Sequence, residues 1–199
     1  GGRGYQPVAV LWAEEDLVVA DQFRDGNVPA VTRMLEVAHR GFETLPASVT
    51  DRFFRGDSAC YDAALLKYLV RTEVGFTISA DMTRELRQAC AAPQGEWTVL
   101  EERLEETLDW AEVVFVPGDW PKEAPALRYV ALRLQGRQGR LFADGTETKY
   151  LAVVSNRWEV PAPALVRWHW AKAGTIEQVH DVTKNDLGAG LPPSGKFGA

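Results

Sequence analysis

The residues best suited to chemistry are a carboxylate and an ammonium near the end of the chain, Glu177 and Lys184, and an aspartate in its first third, Asp57. On a helix advancing 100° per residue, Trp170, Ala173, Glu177 and Lys184 fall within about 60° of one another. Leu165, Trp168, Ile176, Val179 and Leu187 make a separate apolar stripe beside them. Such a helix packs one flank and presents a carboxylate with an ammonium two turns on. A hard carboxylate oxygen holds a divalent metal, and an ammonium holds a phosphate. Metal-assisted phosphoryl chemistry wants such oxygens from separate elements. Asp57 is the natural second donor. A glycosidase-like acid/base pair is the competing use of the same two carboxylates.

The remaining reactive side chains are less informative. His39 falls on a surface helix, His169 between Trp168 and Trp170 in a packed setting, and His180 one turn from Glu177, beside the candidate site. No serine or cysteine nucleophile motif is present, and Gly188-Ala-Gly190 reads as a helix stop rather than a phosphate loop. Cys60 and Cys90 make no disulfide framework and have no zinc-ligand spacing. Among seven tryptophans, Trp12, Trp97, Trp110 and Trp168 read as core. Trp120 and Trp158 border a β-rich segment, where a tryptophan either packs an edge or stacks on an unpaired base.

These residues need elements to position them. The pattern predicts a hairpin from strands at 8–12 and 17–23, then a helix over 28–44 ended by Leu45-Pro46. A strand over 51–55 stops at Gly56, with Asp57 just past it. A helix over 61–72 and a strand over 74–79 complete a βαβ unit, hence a parallel pair. Sites in open α/β sheets lie off the carboxyl ends of strands, where Asp57 stands. A helix is expected over 82–92 and a short acidic helix over 101–110. Strands follow at 111–117, 127–134 and 149–155, with a hairpin turn at Asp144-Gly145. Pro161 and Pro163 open the last helix, which kinks or restarts at the Thr175–Gln178 capping box.

Composition bounds the function. A chain of 199 residues, 46% hydrophobic, supports a real core. It has no apolar run of about 18 residues to span a membrane and no signal-peptide order at its start. The absence of an initiator Met suggests a fragment or a processed chain. Net charge is −6, against a stand-alone nucleic-acid module, but it is uneven. Residues 1–119 carry 11 basic and 21 acidic side chains (−10), and residues 120–199 carry 11 and 7 (+4), so a polyanion is expected on the C-terminal part.

Taken in order, Gly4-Tyr-Gln-Pro7, Phe23-Arg-Asp-Gly-Asn27, Arg55-Gly-Asp-Ser-Ala59, and Glu177 through Lys184 to Lys196-Phe-Gly198 resemble the DDE-type transposases of bacterial insertion sequences. The resemblance covers nearly the whole chain. It implies an α/β, ribonuclease-H-like mixed sheet with flanking helices, its first strand missing, and a β-rich insertion before the last helix. Residues 1–92 would be the partial core, 93–160 the insertion, and 161–199 the helix with the catalytic glutamate. Asp57 would be the second metal-binding aspartate and Glu177 the glutamate of the triad, holding two Mg2+ or Mn2+ ions in the complete enzyme. Lys184 matches the lysine of the family's Y-(2)-R-(3)-E-(6)-K signature. That signature's tyrosine position holds Trp170 and its arginine position Ala173, with Lys172 adjacent. Lys184, Lys172 and Arg167 would grip DNA phosphates. The family's first aspartate has no counterpart, since Asp16 and Asp21 come too late in the order. The implied activity is strand cleavage and strand transfer by a homodimer on double-stranded DNA in the bacterial cytoplasm, with this chain a fragment expected to be inactive. Two alternatives are a ribonuclease-H-like nuclease without strand transfer and a non-catalytic DNA-binding or interaction remnant.

Overall fold

The computed structural model describes residues 7–25, 27–29, 31–136, 142 and 145–171. The chain divides into two compact units, Gly1–Asp51 with Trp170–Ala199, and Arg52–His169. In the first unit, β1 (Val8–Trp12) and β2 (Leu17–Gln22) form the antiparallel hairpin expected from their β-favouring runs. Helix α1 (Met34–Thr44) packs on the hairpin through Met34, Val37, Ala38 and Gly41. Gly41 is needed there, because a Cβ would lie 2.8 Å from the Val10 side chain. The helix begins six residues later than the pattern of apolar residues predicts. Arg33 just before it is left-handed, with φ 60°, and Arg24 holds the Thr32 carbonyl at 2.7 Å, so residues 31–33 form a turn instead. Val31, expected on the buried face, is consequently exposed.

The second unit is a six-stranded mixed sheet in the order β3 (Phe53–Gly56), β4 (Gly75–Ser79), β8 (Thr148–Ser155), β7 (Arg128–Gly136), β6 (Glu106–Val113) and β5 (Thr98–Glu102), with helices α2 (Ala63–Arg71), α3 (Arg84–Ala91) and α4 (Ala162–Trp170). Strand β3 (Phe53–Gly56), helix α2 (Ala63–Arg71) and strand β4 (Gly75–Ser79) make the expected βαβ unit, and β3 and β4 pair in parallel. Asp62 caps α2 by accepting from the Leu65 amide, and Thr83 caps α3 (Arg84–Ala91) by accepting from Leu86. The acidic stretch at 101–110 is not a helix. It contributes to a hairpin of β5 (Thr98–Glu102) and β6 (Glu106–Val113), whose turn Arg103 clasps through Glu101 and Glu106. β-branched Thr98, Val99 and Thr107 favour extended chain, and eight-residue pairing of β6 with β7 (Arg128–Gly136) overrides any local helical preference.

Strand β8 (Thr148–Ser155) inserts between β7 and β4, antiparallel to both. The strands within 93–160 are therefore hydrogen-bonded into the same sheet as β3 and β4 rather than forming a sheet of their own. Asn156 extends the join: its side chain accepts from the Phe76 amide and donates to the Val74 carbonyl, both at 2.9 Å. The strand expected over 111–117 ends at Val113. Beyond it Val114 and Val116 are exposed while Phe115 packs edge-on against Tyr129 at 5.1 Å.

Helices cover both faces of the sheet. Tyr129, Val154 and Ile78 are register partners and share one face, and Tyr61, just ahead of α2, meets Tyr129 there. Thr77 and Ser79 point to the opposite face. His169 of α4 (Ala162–Trp170) hydrogen-bonds both of them. Burial on two sides explains why β4, β7 and β8 read as nearly continuous apolar runs. Leu65, Leu69, Phe76, Ile78, Leu132 and Leu165 are fully buried in this core, each contributing roughly 2 kcal/mol relative to an exposed side chain. Among the described residues, no helix is long and apolar enough to cross a membrane.

Candidate functional site

The corner where β3 and β4 end carries the candidate site. Asp57 follows Gly56 directly and is exposed. Its Oδ1 accepts from the Ala59 amide at 3.0 Å, capping a single 3₁₀ turn over Ser58–Cys60. The turn closes through the Cys60 amide on the Asp57 carbonyl at 3.1 Å and the Tyr61 amide on the Ser58 carbonyl at 3.0 Å. It doubles back tightly on Gly56, where a Cβ would come within 2.6 Å of the Cys60 Cβ. Strand, glycine, aspartate and turn are thus one local device: glycine permits the reversal, and the aspartate both caps the turn and faces solvent. The carboxylate oxygen outside the cap, Oδ2, is a hard donor of the kind magnesium or manganese takes.

Tyr61 leaves the turn and places its hydroxyl 2.9 Å from that of Tyr129 on β7. Burial holds both phenols above the ordinary tyrosine range. The carboxylates of Asp119 and Asp81 add to the effect on Tyr61. Asp81 stands two residues past Ser79 at the end of the neighbouring parallel strand, one residue farther from β4 than Asp57 is from β3. The strand-end rule that locates Asp57 extends to Asp81 as well. Nothing in the sequence pattern pointed to Asp119, 14 residues short of Arg133 in the β6–β7 link, or to the tyrosine pair.

The other expected site residues separate into two groups. Arg167 lies on the exposed side of α4, and no ion pair joins it to Asp57. Its charge reaches Glu101, which is held below the usual carboxylate range first by its hydrogen bond to Arg103 and in smaller part by Arg167. Glu177, Lys184 and Lys172, with Ala173 and His180, lie outside the described residues, as does Asp144 of the expected turn; Gly145 has the positive φ, 79°, that such a turn requires. Among the described residues, no three His, Cys, Asp or Glu side chains converge as a metal-binding group. Of the two expected metal-site carboxylates, Asp57 lies among the described residues and Glu177 does not.

Several side chains with reactive chemistry are built into the fold. His169 is 1% exposed, with Nε2 at 2.9 Å from Ser79 Oγ and Nδ1 at 3.0 Å from Thr77 Oγ1, the packed role expected of it. Trp168 takes Arg55 and Arg157 against its ring at 5.1 and 5.0 Å, and Phe53 meets its edge. Trp120 is buried and donates to the Pro125 carbonyl, which removes it from base stacking, whereas Trp158 is 59% exposed. Cys60 and Cys90 are both thiols, and burial pushes Cys90 up to about 11. No protein-family model matches the chain, and no curated protein matches it.

Proposed function

We propose that the chain is part of a DDE-type transposase catalytic domain, ribonuclease-H-like in fold, whose chemistry is metal-dependent cleavage and joining of DNA strands. One observation carries this reading: Asp57 stands exposed immediately past the carboxyl end of β3, in a parallel βαβ unit, on a turn that fixes its backbone. The ordered motifs around Asp57 and from Glu177 to Lys184 supply the family. Asp57 and Glu177 would hold the metal, magnesium or manganese, two ions in the complete enzyme. Bound there, such ions supply Lewis acidity for attack by water or a 3′-hydroxyl and for the leaving oxygen. Lys184, Lys172 and Arg167 would hold phosphates, and double-stranded DNA is the partner. A homodimer on DNA in the bacterial cytoplasm goes with the same reading. Only two of the family's three carboxylates have counterparts in the 199 residues, so the chain alone is expected to bind without cutting.

Duplex binding followed by fluorescence anisotropy tests the proposal. Three phosphate contacts predict a slope of log affinity against log salt near −2.7, taking about −0.9 per contact. Absent or salt-insensitive binding refutes the DNA partner. A nicking assay with magnesium on the same duplex is expected to show no product; efficient cleavage would overturn the two-carboxylate account.

A further inference from the structure

We infer that the hydroxyl bond between Tyr61 and Tyr129 is a positioning contact that sets the 57–61 turn, and with it the Asp57 carboxylate, at the end of β3. The inference rests on the reading of Asp57 as a metal ligand. The turn is short, and it is built on short-range bonds: Asp57 to Ala59 and Cys60, Ser58 to Tyr61, and Cys60 to Asp62. Local bonds of this kind define the shape of the turn but not its place on the sheet. The turn folds back on Gly56 at Cys60 and packs against β4. To these contacts Tyr61 adds a polar tie across the sheet: it reaches 68 residues along the chain to Tyr129. Tyr129 is 1% exposed and is locked in turn by its pairing with Val113 and Val154 and by the edge of Phe115. A central strand, paired on both sides, is thus coupled to the turn that carries the candidate ligand. Burial keeps both phenols protonated well beyond neutral pH, so the coupling holds across the range in which a carboxylate binds metal.

The two hydroxyls differ in what their loss does. Tyr61→Phe strands a buried Tyr129 hydroxyl, whereas Tyr129→Phe leaves a half-buried Tyr61 hydroxyl that water can satisfy. Tyr129→Phe is therefore the cleaner variant. Amide hydrogen exchange in the 199-residue chain is expected to speed up about tenfold at Ala59 and Cys60, the loss of one net hydrogen bond of about 1.4 kcal/mol. Amides of Ile78 and Leu69 should be unchanged. Faster exchange throughout the core would show a general structural role and overturn the inference, as would unchanged exchange in the turn. Tyr61→Phe added to Tyr129→Phe should loosen the turn no further, because the two act as one contact. Titration with Mn2+, read as paramagnetic broadening of the 57–61 amides, is expected to need several-fold more metal in Tyr129→Phe and to vanish in Asp57→Asn. If the parent chain shows no broadening while Tyr129→Phe still loosens the turn selectively, the metal reading fails and the positioning contact stands.

Discussion

At one flank of the sheet, β3 and β4 run in parallel and deliver Asp57 and Asp81 to the same end; at the other, β5, β6 and β7 run antiparallel, and β6 and β7 bury the charges of Asp109 and Arg128. Asp109 on β6 is buried and paired with Arg133 at 2.8 Å, and Arg133 lies over the Trp97 ring at 4.5 Å. Arg128, 7% exposed in its side chain, donates to Glu112 and to the carbonyls of Arg157 and Val160. Those charges hold strands and the approach to α4 together. Asp57, by contrast, is exposed and engages the backbone amide of a residue two positions on. A charge that the fold depends on is poorly placed to serve a ligand; a charge held by a local cap is well placed.

This contrast can be broken by measurement, chiefly in urea denaturation. Arg128→Ala orphans two carbonyls and frees the Glu112 carboxylate, so a loss of about 3–4 kcal/mol is expected. A loss below about 1 kcal/mol would mean that the antiparallel flank does not rely on its charges. Asp109→Ala leaves Arg133 partly buried without its partner, and a loss of about 2–3 kcal/mol follows. Gly56→Ala tests the parallel corner, where the added methyl collides with Cys60; about 1–2 kcal/mol is expected. The same variant should also disturb the Ala59 amide resonance, which reports the Asp57 cap. Asp57→Ala has the smallest expected cost, about 0.5–1 kcal/mol for a lost cap. A cost above about 2 kcal/mol would place Asp57 among the structural charges and remove the distinction between the flanks.

Much of the parallel corner was legible in the chain. The run 51–55, the stop at Gly56 and the amphipathic helix after it follow from alternation and 3.6-residue periodicity, and Asp57 is located by the strand-end rule alone. The hairpin of β1 and β2 was legible for the same reason. The antiparallel flank is less legible. An acidic 101–110 segment with mixed propensities reads as a solvated helix until pairing with β7 is known, and the start of α1 depended on one left-handed residue, Arg33. The bonds Tyr61–Tyr129, Arg133–Asp109 and Arg128–Val160 join residues 68, 24 and 32 apart, and no local pattern announces them.

By itself the sequence determined several local pieces: the extended runs of the β1–β2 hairpin, the strand–helix–strand order of the parallel corner, and that an aspartate follows a glycine at a strand end. These depend on propensity, periodicity and short-range hydrogen bonds, all of which act within a few residues. Tertiary structure alone decided that β8 lies between β4 and β7, that His169 is a buried link between α4 and β4, and that a tyrosine on β7 reaches the Asp57 turn. Strand order and register come from pairing distant segments into one sheet with both faces covered. That choice is made by the core as a whole, not by any stretch of chain within it.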